Sequence, residues 1–161
     1  KAFELMKKNH PATRKFSLVV AGGIDQKSMA YFEELSRRPG PKIKFVANPK
    51  DNELFKLYAE SYAVLFTAIN EDWGLVPLEA MAFSKPVVAV NQGGPRESVK
   101  NGSTGFLAKP TEEDFAKRMA ALAQNPKLAK KMGAVGRRRA MQYDWGQSAG
   151  HFDGLVESAL D

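Results

Sequence analysis

Five short runs rich in β-branched and aromatic residues, set between stretches with apolar residues at helical intervals, restrict this chain to few folds. They are "FSLVVAGG" (16–23), "KIKFVA" (42–47), "YAVLFTA" (62–68), "KPVVAV" (85–90) and "GFLAKP" (105–110). Each has the length of a strand, and all but the third meet Gly, Pro or Asn at an end. Gly22-Gly23 and Asn48-Pro49 stop the first two, the first of which reads as a buried strand, and Pro86 sits at the start of the fourth. Between them, "SMAYFEELSRR" reads as a helix closed by Pro39, Gly40 and Pro41, and "KDNELFKLYAES" as a helix with Asp51 as N-cap. From Thr111 the pattern is helical, with Thr111 and Asp114 at capping-box spacing and breaks at Asn125-Pro126 and Tyr143 to Gly146. Strands alternating with helices predict an α/β fold, a Rossmann-like doubly wound parallel sheet with helices on both faces. Ligands of such sheets bind beyond the carboxyl ends of the strands. Gly22-Gly23, Ala47-Asn48, Thr67 to Gly74 and Asn91 to Gly94 all fall there.

At 161 residues the chain has the length of one domain. It opens inside a helical pattern without an initiator Met, which leads us to expect a fragment of a longer protein. With no Cys there is no disulfide and no thiolate, and His10 and His151 stand at no metal-ligand spacing, so no metal site is expected. No stretch reaches the ~18 to 20 consecutive apolar residues of a membrane-spanning helix. The net charge of +6 favours anionic partners, and Lys127, Lys130, Lys131 and Arg137 to Arg139 gather on one predicted helix. That cluster reads either as a solvated helical face or as a contact for phosphate or a membrane surface.

The segment "TAINEDWGLVPLEAMAF" carries the chemistry. Gly74 allows close backbone approach, and Pro77 suits a first helical turn. A helix is predicted from about Leu75 to Phe83, ended by Lys85-Pro86. Its first amides are unpaired donors at the positive end of the helix dipole, suited to an anion. Glu79 lies one turn in and Glu71 in the loop ahead. A carboxylate accepts two hydrogen bonds from vicinal hydroxyls, so the pair could grip sugar hydroxyls on either side of a diphosphate. The residues alone equally allow Glu79 as an exposed helical residue, with Glu71 and Asp72 as charges answering the dipole.

The run "EDWGLVPLEAMAFSKPVVAVNQGGPRESVKNGSTGFL" resembles the E-x7-E signature region of family 4 glycosyltransferases, which have the GT-B fold. The likeness continues through Gly93, Gly94 and Glu97 and through Gly102 to Leu107, and "LVVAGG" and "KIKFVANPKDNELFKLYAESYAVLFTAINE" resemble earlier strands of the same donor domain. The wording around "VPLEAM" and "AVNQGGPRES" is closest to mannosyltransferases that use GDP-mannose on lipid-linked oligosaccharides. The resemblance implies that Glu71 lies by the donor sugar as the catalytic residue, and that Glu79 binds the nucleotide's ribose. It implies that the stretch Asp72, Trp73, Gly74, Leu75 and Val76 contacts sugar and phosphates, that Val46 walls the base, and that Gly22 and Gly23 turn beside the diphosphate. Gly93, Gly94 and Glu97 stay open between donor contact and a structural turn. Trp73 stands where Phe is commoner in the family, and it reads as core packing.

Residues 1–161 are therefore expected to form the donor-binding domain of a retaining hexosyltransferase, without the first strand and without the N-terminal acceptor domain. The family's diphosphate-neutralising Arg and Lys would lie upstream of Lys1. The implied donor is a nucleoside diphosphate sugar, GDP-mannose first and a UDP-sugar next, with no cofactor. The implied acceptor is a glycan or lipid-linked glycan. Cytoplasmic placement is expected, with peripheral membrane contact through the basic residues as one option. A sugar-nucleotide 2-epimerase of the same fold is the alternative enzyme. A basic nucleic-acid-binding domain using Arg137 to Arg139 is the alternative outside enzymes, and it lacks interleaved aromatics and any recognition motif, so no specific nucleic acid is expected.

Overall fold

The computed structural model describes residues 1–37, 40, 42–144, 146, 149, 150 and 158. They divide into two compact units, Lys1–Ser61 with Ala108–Pro126, and Tyr62–Leu107 with Lys127–Asp161. The architecture is Rossmann-like, with parallel sheets and helices on both faces.

In the first unit, helix α1 (Ala2–Asn9) buries Phe3 and Met6, three residues apart and so on one face. They pack on α6 (Glu112–Gln124), which buries Phe115, Met119 and Leu122. A 3-10 turn (Pro11–Lys15) leads to strand β1 (Leu18–Gly22), which pairs in parallel with β2 (Ile43–Ala47) from Leu18↔Ile43 to Gly22↔Ala47. Helix α2 (Met29–Ser36) makes the crossover between them, with Phe32 edge-on to Phe45 at 6.0 Å. Strand β1 departs from the buried strand expected: Val19 and Val20 are each 41% exposed. The strand has one hydrogen-bonded neighbour, β2, in a two-stranded sheet, so its apolar run is not enclosed from both sides.

The expected cap at Asp51 also fails. Helix α3 (Asp51–Glu60) takes Lys50 as N-cap, in extended conformation and without a side-chain bond. Asp51 is already helical, so its carboxylate acts with Glu53 as a charge in the first turn. Thr111, by contrast, caps α6 as its spacing predicts, its Oγ1 accepting from the Asp114 amide at 3.3 Å. Asp114, one methylene shorter than Glu, instead accepts from the Lys109 amide at 2.8 Å and pairs with Arg118 at 3.4 Å.

The turn after β1 is held by polar side chains. Asn48 Oδ1 accepts from the Ile24 amide at 2.8 Å, and Asp25 Oδ1 accepts from the Ser28 amide at 2.7 Å. The Ser28 side chain, then its backbone amide, hold the Asp25 carboxyl below the ordinary carboxylate range. A native pKa that is depressed gives a stabilisation present above the unfolded value and lost as pH falls through the native one. Ser28→Ala is therefore expected to raise the Asp25 midpoint followed by carbon-detected NMR. An unmoved midpoint would remove the hydroxyl as its partner.

In the second unit the strand order is β3 (Val64–Phe66), β4 (Val87–Val90), β5 (Gly105–Ala108), with β3 and β4 parallel from Val64↔Val87 to Phe66↔Ala89. All four residues of the central strand β4 are buried, each valine contributing about 1.5–3 kcal/mol by leaving water. β3 is shorter than the run predicted at 62–68, because pairing begins only where the Val64 amide donates to the Pro86 carbonyl at 3.0 Å. Helix α4 (Leu75–Ala82) forms where predicted, and α7 (Pro126–Ala140) follows the break at Asn125-Pro126. The stretch after β4 contains a four-residue helix α5 (Pro95–Ser98), started by a proline whose missing N–H costs nothing there. The predicted stop at Pro39 and Pro41, Trp145, His151 and most of the predicted final helix lie outside the described residues. Among the described residues, no helix is long and apolar enough to cross a membrane.

Candidate functional site

Two loops of the second unit leave the carboxyl ends of adjacent parallel strands. One runs from Phe66 at the end of β3 to α4, and the other from Val90 at the end of β4 to α5. Asn70 takes a positive φ of 59° in the first and Gly93 one of 56° in the second. The Gly94 amide donates to the Glu71 carbonyl at 2.9 Å and ties the loops together. Between them lies a cavity of about 460 Å³, lined by Asn70, Glu71 and Asp72 from one side and by Gly93, Gly94, Arg96 and Glu97 from the other.

The contact has no room for side chains at the two glycines. A Cβ on Gly93 would strike the Glu71 carbonyl, and one on Gly94 would strike the backbone of Trp73. For these residues the structural role is present in the geometry, whatever they also offer a ligand. The cavity presents three carboxylates (Glu71 half-buried, Asp72 and Glu97 exposed) and one guanidinium. Arg96 Nε donates to Asn91 Oδ1 at 3.0 Å, and among the described residues no ion pair joins Arg96 to those carboxylates. Its remaining N–H groups are thus available on the cavity wall.

Of the residues predicted, the structure brings Glu71, Asp72, Gly93, Gly94 and Glu97 onto one cavity. Trp73, Gly74, Leu75, Val76 and Glu79 occupy the same loop and the first turns of α4 without lining it. Glu79 is exposed on α4, and Gly74 is its N-cap at φ 72°, where a Cβ would sit 3.2 Å from the Phe66 ring. Trp73 is 38% exposed and not core packing as expected. Its backbone lies against Gly94, and its indole meets the Tyr143 ring edge-on at 5.9 Å. Gly22, Gly23 and Val46 belong to the first unit, at the ends of β1 and β2. Among the described residues, no group of three or more His, Asp or Glu could hold a metal ion.

Sequence reasoning passed over Arg96 and Arg139. Arg96 could have been found as the cation between Gly94 and Glu97. In the sequence Arg139 stands out only as one member of the basic cluster. Its Nε donates to the Ser98 carbonyl at 2.7 Å and its Nη2 to the Glu97 carbonyl and, at 2.7 Å, to Tyr143 Oη. It therefore secures the end of the helix that carries Arg96 and Glu97, and holds the ring against which Trp73 rests.

Comparison with known proteins places this geometry. Residues 1–139 match the family described as glycosyl transferases group 1. The alpha-1,3/1,6-mannosyltransferase ALG2 of Homo sapiens is 35% identical over 133 residues, covering 78% of this chain and 32% of that protein. The chain spans about a third of the length of the curated relatives it matches. Among solved structures, a glycosyltransferase from Rickettsia africae ESF-5 superposes with a TM-score of 0.84 at 23% identity, covering 99% of this chain and 43% of that one. The Anabaena Alr3699/HepE structure in complex with UDP and glucose superposes with a TM-score of 0.79 at 23% identity, covering 96% of this chain and 44% of that one.

Proposed function

The chain belongs to the glycosyl transferases group 1, and from that premise we propose that its second unit seats a nucleoside diphosphate sugar, the donor for retaining transfer of a hexose to an acceptor hydroxyl. One observation carries the reading: the polar cavity lies beyond the carboxyl ends of the parallel strands β3 and β4, where sheets of this kind take their ligands. Its wall offers carboxylates for hydroxyls and one cation for phosphate.

Glu71, in the cavity, is assigned to the donor sugar and is the residue on which transfer depends. Glu79, on α4, is assigned to the ribose hydroxyls, and the amides from Asp72 to Val76 to the sugar and diphosphate. On transfer, the bond from the anomeric carbon to the diphosphate oxygen breaks, its electron pair staying on the phosphate. The acceptor oxygen then forms the new bond on the same face of the sugar, and its proton passes to the departing diphosphate oxygen. Fixed amide dipoles and Arg96 would stabilise the charge that gathers on the leaving diphosphate.

GDP-mannose is the preferred donor, on the strength of likeness to a mannosyltransferase, and a UDP-sugar is the second, since UDP occupies the Anabaena relative. The acceptor, a glycan or lipid-linked glycan, is assigned to a domain beyond the matched third of the relatives' length, and the reaction to the cytoplasm. On this reading the 161 residues bind donor without transferring, and turnover by them at an ordinary enzymatic rate would overturn that division.

Calorimetric titration with GDP, UDP, ADP and their sugar conjugates tests the proposal. One nucleotide is expected to bind saturably. Glu79→Ala is expected to weaken it about 10- to 100-fold, the worth of charge-assisted hydrogen bonds to two hydroxyls. No saturable binding of any nucleotide would overturn the donor reading. Unchanged affinity in Glu79→Ala would overturn the ribose assignment alone.

A further inference from the structure

Helix α7 holds six basic residues and no acidic one. Elsewhere acids and bases balance, so the whole net charge of +6 resides on this single helix. At about 100° per residue, Lys127, Lys130, Lys131, Arg137 and Arg138 fall within an arc of about 120°. All five are exposed, and the opposite side is the one that buries Ala129, Met132, Gly133 and Gly136. Arg139 lies outside the arc and is spent on carbonyls of α5 and on Tyr143.

On other helices two exposed cations have a carboxylate partner one turn away, Arg37–Glu33 and Lys56–Glu60. Among the described residues no ion pair is made by the five of α7. Like charges at i,i+3 and i,i+4 repel and weaken the helix that carries them, so the arrangement is at its most favourable against an extended anionic surface.

We propose that the exposed face of α7 docks on an anionic lipid bilayer. The stripe runs about 17 Å along the helix and is made of long flexible cations with no aromatic side chain among them, which suits a plane of phosphate headgroups better than unstacked bases. Buried small residues fix the helix to its own unit, so the charges meet the surface as a rigid row rather than as a tail. The proposal stands independently of the donor reading, since no residue of the stripe lines the cavity.

Sedimentation of the chain with vesicles tests it, comparing neutral phosphatidylcholine with the same lipid carrying phosphatidylserine. Binding is expected to the anionic vesicles only, falling steeply as salt rises from ~0.1 to ~0.5 M. Each cation near such a surface is worth on the order of fivefold in affinity, so Lys130→Gln, Lys131→Gln, Arg137→Gln and Arg138→Gln together should lose more than about 100-fold. Lys130→Arg with Lys131→Arg should bind as the parent does, and the circular-dichroism spectrum of the quadruple variant should match the parent's, which shows that its fold is intact. Equal binding to neutral vesicles, or full binding by the quadruple variant, overturns the proposal. So does tighter binding to a short RNA duplex than to the anionic vesicles.

Discussion

Gly94→Ala is expected to lose more than about tenfold in nucleotide affinity and about 1–3 kcal/mol of stability, the usual cost of forcing a methyl into closed packing. The backbone itself would accept alanine, since Gly94 sits at φ −54° and ψ −34°, ordinary helical values. The obstruction is the new Cβ, which meets the carbonyl oxygen and Cα of Trp73. Both are backbone atoms, so no change of rotamer relieves the contact. Either the 71–73 loop moves away or α5 does, and in both cases the 2.9 Å bond from the Gly94 amide to the Glu71 carbonyl opens. The cavity wall then separates at its seam. Gly93→Ala should cost more, because its Cβ would meet the Glu71 carbonyl and its positive φ adds about 1–2 kcal/mol of backbone strain. Melting followed by circular dichroism, beside calorimetry with the cognate nucleotide, checks both. A Gly94→Ala protein that melts and binds as the parent does would mean that the two loops do not approach as described.

Arg139→Ala is expected to destabilise by about 2–3 kcal/mol, or roughly 4–12 °C in Tm for a chain of this length, because it removes one charged donor from three acceptors at once. The Ser98 and Glu97 carbonyls lose their partner at the end of α5, and the Tyr143 ring loses both the hydrogen bond to its hydroxyl and the guanidinium 5.4 Å from its centre. Arg139→Lys should recover less than half, since an ammonium cannot span two carbonyls and a phenol as the planar guanidinium does. In a Trp145→Phe background, where Trp73 is the remaining indole, emission should shift to the red in Arg139→Ala as Tyr143 swings away. An unshifted spectrum with an unchanged melt would reduce Arg139 to one more solvated cation.

The parallel strands were legible because a β-branched run bounded by Gly or Pro states its own local preference, as "KPVVAV" does for β4. Whether such a run is enclosed depends on its neighbours, and that is why β4 is buried while Val19 and Val20 on β1 are not. Thr111 was readable as a cap because its partner amide lies three residues on; Asp51 was misplaced by one residue, since only the backbone angles of Lys50 decide where the helix begins. Glu71 and Gly94 could be picked out individually, yet the bond between their backbones joins residues 23 apart. Arg139 was unreadable for the same reason on a larger scale, its carbonyl acceptors being 41 and 42 residues away. Trp73 was misjudged because the glycine against its backbone and the Tyr143 ring beside its indole both lie far along the chain.

The route of the chain has a consequence for synthesis. Helix α1 is made about a hundred residues ahead of α6, the helix against which it buries its apolar face and which starts at Glu112. At ~5–20 residues per second, a ribosome needs about 5 to 20 s to deliver that partner. During the wait all of β3 and β4 and most of the second unit's loops emerge and can pair, while Phe3 and Met6 remain uncovered. The strands of the second unit are thus able to pair ahead of the packing of α1, and a nascent chain stalled before residue 112 would offer chaperones an uncovered apolar helix face.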